Sequence, residues 1–237
     1  MGRWGLGAYV QDEALATHDN PPRAPRSLPC YPDVERVLAP VTPKETSVPL
    51  LADQTSFLKS WFKQPMKTGA VAPSGAALAR LITQDLVPNG GPVMELGPGT
   101  GAFTRSIVSK GVAESDLTLI ENNPQFAELL RQRYPDARLL EMDVTRMRWH
   151  QDTWKGMQAQ AVISGLPLLT MGLRAQWNVV GACMHSLRQG AAMYQFTYTA
   201  SCPISLGVLQ RLGLKAERVG GSFFNLPPAS VYRIFRV

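Results

Sequence analysis

Three glycines at alternate positions, Gly97, Gly99 and Gly101, follow directly on an apolar run that holds Val93, Met94 and Leu96. No other stretch limits the fold as much. The run predicts a buried strand, the glycines a tight turn, and residues 102–110 a helix. Glycine suits such a turn because it accepts positive φ and lets a ligand approach the backbone. The spacing is G-x-G-x-G, not the dinucleotide G-x-G-x-x-G. Glu95 stands just before the turn, where a carboxylate opposes a pyrophosphate and favours a cation.

Two further acids fit a cationic nucleoside. A second strand, 117–120, ends in Glu121, with Asn122 beside it. That is close to the spacing at which an acid after a second strand reaches ribose hydroxyls. A carboxylate accepts both hydroxyl hydrogens. A third strand, 137–142, ends in Asp143, an acceptor for an adenine amino group. S-adenosylmethionine carries an ammonium, a sulfonium and no phosphate, and it matches this set. Three acids in register at three strand ends say more than the turn alone.

The rest of the chain supplies the layers around that turn. Asn123 caps a helix that opens on Pro124, a favoured pairing, and runs to about 134. A short helix is expected over 144–155. A fourth strand spans 160–164, a helix 170–187, a fifth strand 191–198, a helix 203–212, and a closing strand pair 215–220 and 230–237. Before the turn, Ser74 caps a helix over 75–85, and 69–74 is a loop. The three cysteines, Cys30, Cys183 and Cys202, are odd in number and widely spaced, and they read as reduced, with no disulfide frame and no metal motif. His18 and His185 have no partner pattern, and His150 reads as a surface residue, not a catalytic one.

Residues 1–51 are different material. They hold eight of the 19 prolines and no periodicity, so they read as a mostly disordered leader. They carry five basic and six acidic residues, a charge of −1, so the remainder carries +7 of a chain whose net charge is +6. Residues 52–68 turn helical, with Phe57, Leu58, Trp61 and Phe62 on one face and Lys59, Lys63 and Lys67 off it. Two readings stand: a helix packed on the sheet, or one lying in a lipid interface with lysines near anionic headgroups. No run approaches a membrane-spanning length, and 69–237 forms the remaining domain.

The segment from Glu95 to Gly101 resembles motif I of the class I S-adenosylmethionine-dependent methyltransferases, and Glu121 and Asp143 match their later acidic positions. Three further stretches narrow the resemblance. They are 57–62 running into 69–74, then Ser164-Gly165-Leu166-Pro167-Leu168-Leu169, then 225–232. Together they are similar to the bacterial phospholipid N-methyltransferases, which methylate phosphatidylethanolamine towards phosphatidylcholine. The resemblance implies an α/β fold: a Rossmann-like, seven-stranded sheet flanked by helices, with an N-terminal amphipathic helix on the membrane. It implies S-adenosylmethionine as cofactor, a phospholipid on an anionic membrane as partner, and a cytoplasmic, peripheral location. No nucleic acid or obligate protein partner is expected.

In an open α/β sheet the ligand lies beyond the carboxyl ends of the strands, which places Ser164 to Pro167 beside the transferred methyl. Ser164 takes the position that Asn or Asp holds in adenine methyltransferases, where it counts as both a cofactor and a substrate contact. The expectation is that Ser164 and the carbonyls near Gly165 and Leu166 orient the amine. Tyr198, at the end of the fifth strand, is expected to line the site. No aromatic follows Pro167, which argues against a stacked base. Competing readings are an RNA adenine N-methyltransferase, an enzyme for another aminolipid, and a membrane-bound cofactor sensor.

Overall fold

The computed structural model describes residues 73–147, 156–222 and 229–237, within the second of two compact units, Val48–Val237. The leader 1–51, the amphipathic segment 52–68 with its Phe57, Leu58, Lys59, Trp61, Phe62, Lys63 and Lys67, the residues 69–72, and His150 lie outside the described residues.

The order is α1 (Pro73–Ile82), β1 (Val93–Leu96), α2 (Ala102–Ser109), β2 (Leu117–Glu121), α3 (Pro124–Arg133), β3 (Arg138–Glu141), β4 (Ala159–Ser164), α4 (Leu173–Ser186), β5 (Leu187–Thr197), α5 (Leu206–Arg211), β6 (Leu214–Ser222) and β7 (Ala229–Arg236). All seven expected strands are present. Helix α1 begins at Pro73, so Ser74 is its second residue and not its cap. Proline's fixed φ suits a first helical position. The helix expected over 170–187 starts only at Leu173, because Leu168–Thr170 forms its own 3-10 turn. Over 144–147 the described chain makes only the 3-10 turn Val144–Arg146. Asn123 caps α3 as expected, accepting from the amides of Gln125 and Phe126.

The strands form one sheet in the order β3-β2-β1-β4-β5-β7-β6. The first five are parallel, and β7 runs antiparallel between β5 and β6. Strands β1, β2 and β4 are buried throughout, as continuous apolar runs in a helix-covered parallel sheet must be. Chain order reverses at β1, which pairs with β2 on one side and β4 on the other. That reversal opens a crevice at the carboxyl ends of the strands.

Leu78, Ile82, Ile107 and Leu130 from the helices meet Val93, Leu119, Ile163 and Tyr194 from the sheet. Burying each such side chain is worth about 1.5–3 kcal/mol. Two polar ties fix the helix layer: the hydroxyls of Thr83 and Ser106 share a 2.9 Å bond, and Tyr194 donates to Asp85 at 2.6 Å. No helix among the described residues is long and apolar enough to cross a membrane.

Candidate active site

The turn at the reversal point is left-handed at each glycine: φ is 65° at Gly97, 57° at Gly99 and 80° at Gly101. At Gly97 space is also short. A Cβ there would lie 2.9 Å from Leu166 Cδ2. The turn after β1 and the loop after β4 therefore pack directly on each other. Gly97 N donates to Ile120 O at 2.9 Å, and Arg133 Nη1 donates to Thr100 O at 2.8 Å.

The three acids are staggered, correcting the expectation of a common register. Glu95 is inside β1, opposite Leu119; Glu121 ends β2; Asp143 lies beyond the end of β3. Glu95 is fully buried. Its Oε2 accepts from Thr104 Oγ1 at 2.7 Å, and its Oε1 has no hydrogen-bond partner among the described residues. Burial pushes this carboxyl up to about 8, against the lowering effect of Thr104. An unpartnered buried oxygen is costly unless a donor reaches it, and an ammonium is such a donor.

Glu121 is not held open for a ribose alone. Its Oε2 accepts from Gly99 N at 2.9 Å, and its Oε1 from the amides of Asn122 (2.9 Å) and Asn123 (2.8 Å). A carboxylate offers about four lone-pair sites, so three are engaged in pinning the glycine turn to β2. Asn122 itself is exposed. Asp143 Oδ1 accepts from the amide and hydroxyl of Thr145, both at 2.8 Å. Those bonds hold its carboxyl below the usual range. Its second oxygen takes no bond from the described residues. The open backbone at the glycines, the bare Glu95 oxygen and the two further acids fit S-adenosylmethionine.

At the loop, Ser164 is buried, and its Oγ accepts from Leu166 N at 3.4 Å. That bond helps shape the loop and leaves the hydroxyl its own proton and a further lone pair. Leu166 O, however, is unsuited to an amine. It already accepts from Leu168 N at 2.9 Å and from Gln195 Nε2 at 2.8 Å, and a carbonyl has two lone pairs. The Gly165 carbonyl, by contrast, accepts nothing from the described residues. Gln176 holds the rest of the loop: Nε2 donates to Leu168 O (2.9 Å) and Met171 O (3.2 Å), while Oε1 accepts from Ser205 N (2.8 Å).

Tyr198 stands where expected, at the end of β5, half-buried, with burial pushing its phenol up to about 12. Its ring meets Phe196 edge-on at 4.7 Å, and Phe196 meets Phe103 at 5.9 Å. A Cβ on Gly165 would lie 3.6 Å from Phe103. So rings do flank the loop, although none follows Pro167 in sequence. That removes the expected argument against a stacked base. Sequence reasoning missed Phe103, Gln176 and Gln195. The one signal was Gln195 itself, a polar residue in the apolar run 192–196 of a central strand.

No protein-family model matches the chain. It is 32% identical to the ornithine lipid N-methyltransferase of Singulisphaera acidiphila over 145 residues, 60% of this chain and 76% of that one. It is 28% identical to ribosomal RNA small subunit methyltransferase A of Maridesulfovibrio salexigens over 113 residues, 46% of this chain and 40% of that one. Among solved structures it resembles the N-methyltransferase NodS of Bradyrhizobium japonicum, in complex with S-adenosyl-L-homocysteine, with a TM-score of 0.54 and 13% identity over 76% of this chain and 96% of that one.

Proposed function

We propose, since the chain belongs to the family of the Singulisphaera acidiphila ornithine lipid N-methyltransferase, within the class I S-adenosylmethionine-dependent methyltransferases, that it methylates the headgroup amine of an aminolipid at a membrane surface. The observation that carries this reading is the match to that relative over 76% of its length. S-adenosylmethionine is the cofactor, and Glu95, the turn 97–101, Glu121 and Asp143 are the residues that would hold it. When bound, it supplies an electrophilic methyl on a sulfonium.

The chain's own part is position and electrostatics. The amine attacks only when neutral. For an alkyl amine of pKa about 10.4, losing the proton at pH 7 costs roughly 4–5 kcal/mol. Desolvation beside the loop lowers that pKa. The Gly165 carbonyl, an open acceptor at the start of the loop, takes an amine N–H and turns the nitrogen lone pair towards the glycine turn. Phe103, Phe196 and Tyr198 exclude water from that side.

A membrane location is supported by the rim of the site. Leu169, Leu173 and Leu206 are 40%, 53% and 67% exposed, in the three segments that Gln176 ties together, and Arg174 beside them is exposed. We place this rim against lipid, together with the amphipathic segment 52–68, on the cytoplasmic face. Partial burial of a leucine is worth about 1 kcal/mol, so the Leu169→Ser, Leu173→Ser, Leu206→Ser triple variant is expected to bind anionic vesicles about a hundredfold more weakly. Unchanged sedimentation with vesicles would remove the rim from the membrane.

The substrate is tested by transfer of labelled methyl to vesicles containing ornithine lipid, phosphatidylethanolamine or neither. The relative's name favours the first; the resemblance of 164–169 and 225–232 favours the second. Label in one lipid identifies it. A second reading, an RNA adenine N-methyltransferase, is favoured by the ribosomal RNA relatives and the rings beside the loop. Label in RNA with none in either lipid would replace the aminolipid reading.

A further inference from the structure

Two buried side-chain polar atoms among the described residues have no hydrogen-bond partner: Glu95 Oε1 and Gln195 Oε1. The first suits the cofactor's ammonium. The second has no such explanation. Gln195 is fully buried near the carboxyl end of β5, opposite Ser164 of β4 and Tyr232 of β7. Its Nε2 donates to Leu166 O at 2.8 Å and to Phe196 O at 2.6 Å. Both are carbonyls and both require a donor, so the amide cannot be turned round. The orientation that grips the loop therefore leaves Oε1 bare.

We propose, resting on the aminolipid reading above, that Gln195 is the residue through which the site recognises an amine that still carries hydrogen. Through Nε2 it occupies a lone pair of Leu166, leaving Gly165 O as an open acceptor of the loop. Through Oε1 it accepts a second N–H from the headgroup. Unmethylated and partly methylated headgroups, which bind as ammonium ions before the proton is lost, satisfy that oxygen. A trimethylated headgroup has no N–H and leaves it unpaired, which favours release of the finished product. A site that hydrogen-bonds its substrate rejects the analogue lacking the donor for this reason.

The test uses the full chain and vesicles of ornithine lipid, phosphatidylethanolamine or their N-trimethylated forms. Wild type is expected to bind the unmethylated lipid at least tenfold more tightly than the trimethylated one. Gln195→Met, similar in length and without the amide, is expected to raise KM for the unmethylated lipid about tenfold. It should leave inhibition by the trimethylated lipid within twofold, with cofactor affinity and melting temperature controlling for folding. A merely structural role would weaken both lipids together, and that result overturns the proposal. So does equal affinity of wild type for the two forms, which needs no variant. Methyl transfer to neither lipid by wild type overturns the aminolipid reading and this inference with it; transfer with an unchanged affinity ratio in the variant overturns the inference alone.

Discussion

Glu95→Gln is expected to abolish most cofactor binding while making the ligand-free protein more stable at alkaline pH. The carboxyl is fully buried, with one oxygen on Thr104 and the other bare, and burial raises it from 4.5 to about 8. Its folded value lies above its unfolded one. The stability it contributes is therefore fully present below about pH 4.5 and is lost progressively up to pH 8, at about 1.4 kcal/mol per pH unit. Nearby Glu121 adds to the shift and Thr104 opposes it. A cation reverses the balance by stabilising the ionised form, so wild-type affinity should rise from pH 6 towards pH 8, with a proton released on binding. It should level off there, where an α-amino group itself titrates, at about 7.7–8.0. The amide variant has no proton to release and no charge to offer. Loss of a buried charge partner is worth about 3 kcal/mol, roughly a hundredfold in affinity. Calorimetry in buffers of different ionisation enthalpy and melting curves from pH 5 to 9 measure both. A variant whose melting temperature follows the wild-type pH dependence would sink the assignment.

The second large effect is expected at Glu121→Ala, and it is as much structural as functional. The carboxylate accepts three backbone amides, those of Gly99, Asn122 and Asn123. Removing it leaves donors unpaired at about 1–3 kcal/mol for a buried group, and the glycine turn loses its tie to β2. A loss of about 3 kcal/mol lowers the melting temperature of a domain this size by roughly 10 °C. Cofactor binding should fall with it. Were Glu121 a ribose contact and nothing more, the ligand-free melting temperature would not move, and thermal denaturation without ligand decides the point. Loss of turnover in this variant alone therefore cannot assign the ribose contact.

The strands and the glycine turn were legible because both rest on local chemistry: apolar runs bounded by turn residues, and positions that need positive φ. Element ends were less so. Residues 187–190 join β5 although three of them are exposed, because pairing with β4 sets the strand and no apolar pattern marks it. At the site, residue types were readable and their partners were not. Glu95, Glu121 and Asp143 stand out as acids near strand ends, but their stagger and the three amides on Glu121 depend on register and turn geometry. Sequence position alone makes Leu166 O an acceptor, whereas Leu168 N and Gln195 Nε2 fill both of its lone pairs. Phe103 reaches Gly165 across 62 residues of sequence, a contact that no spacing rule reports.

The clamp that Gln176 puts on the loop bears on how such a site can diversify. It grips Leu168 O, Met171 O and Ser205 N, which are backbone groups that nearly any residue provides. The side chains at 169, 171 and 173 can therefore be exchanged without unfastening the loop. Selection can rewrite what these side chains touch while the backbone of the loop stays where it is. Gln176 itself has no such freedom, so across descendants of this chain it should outlast the residues it supports.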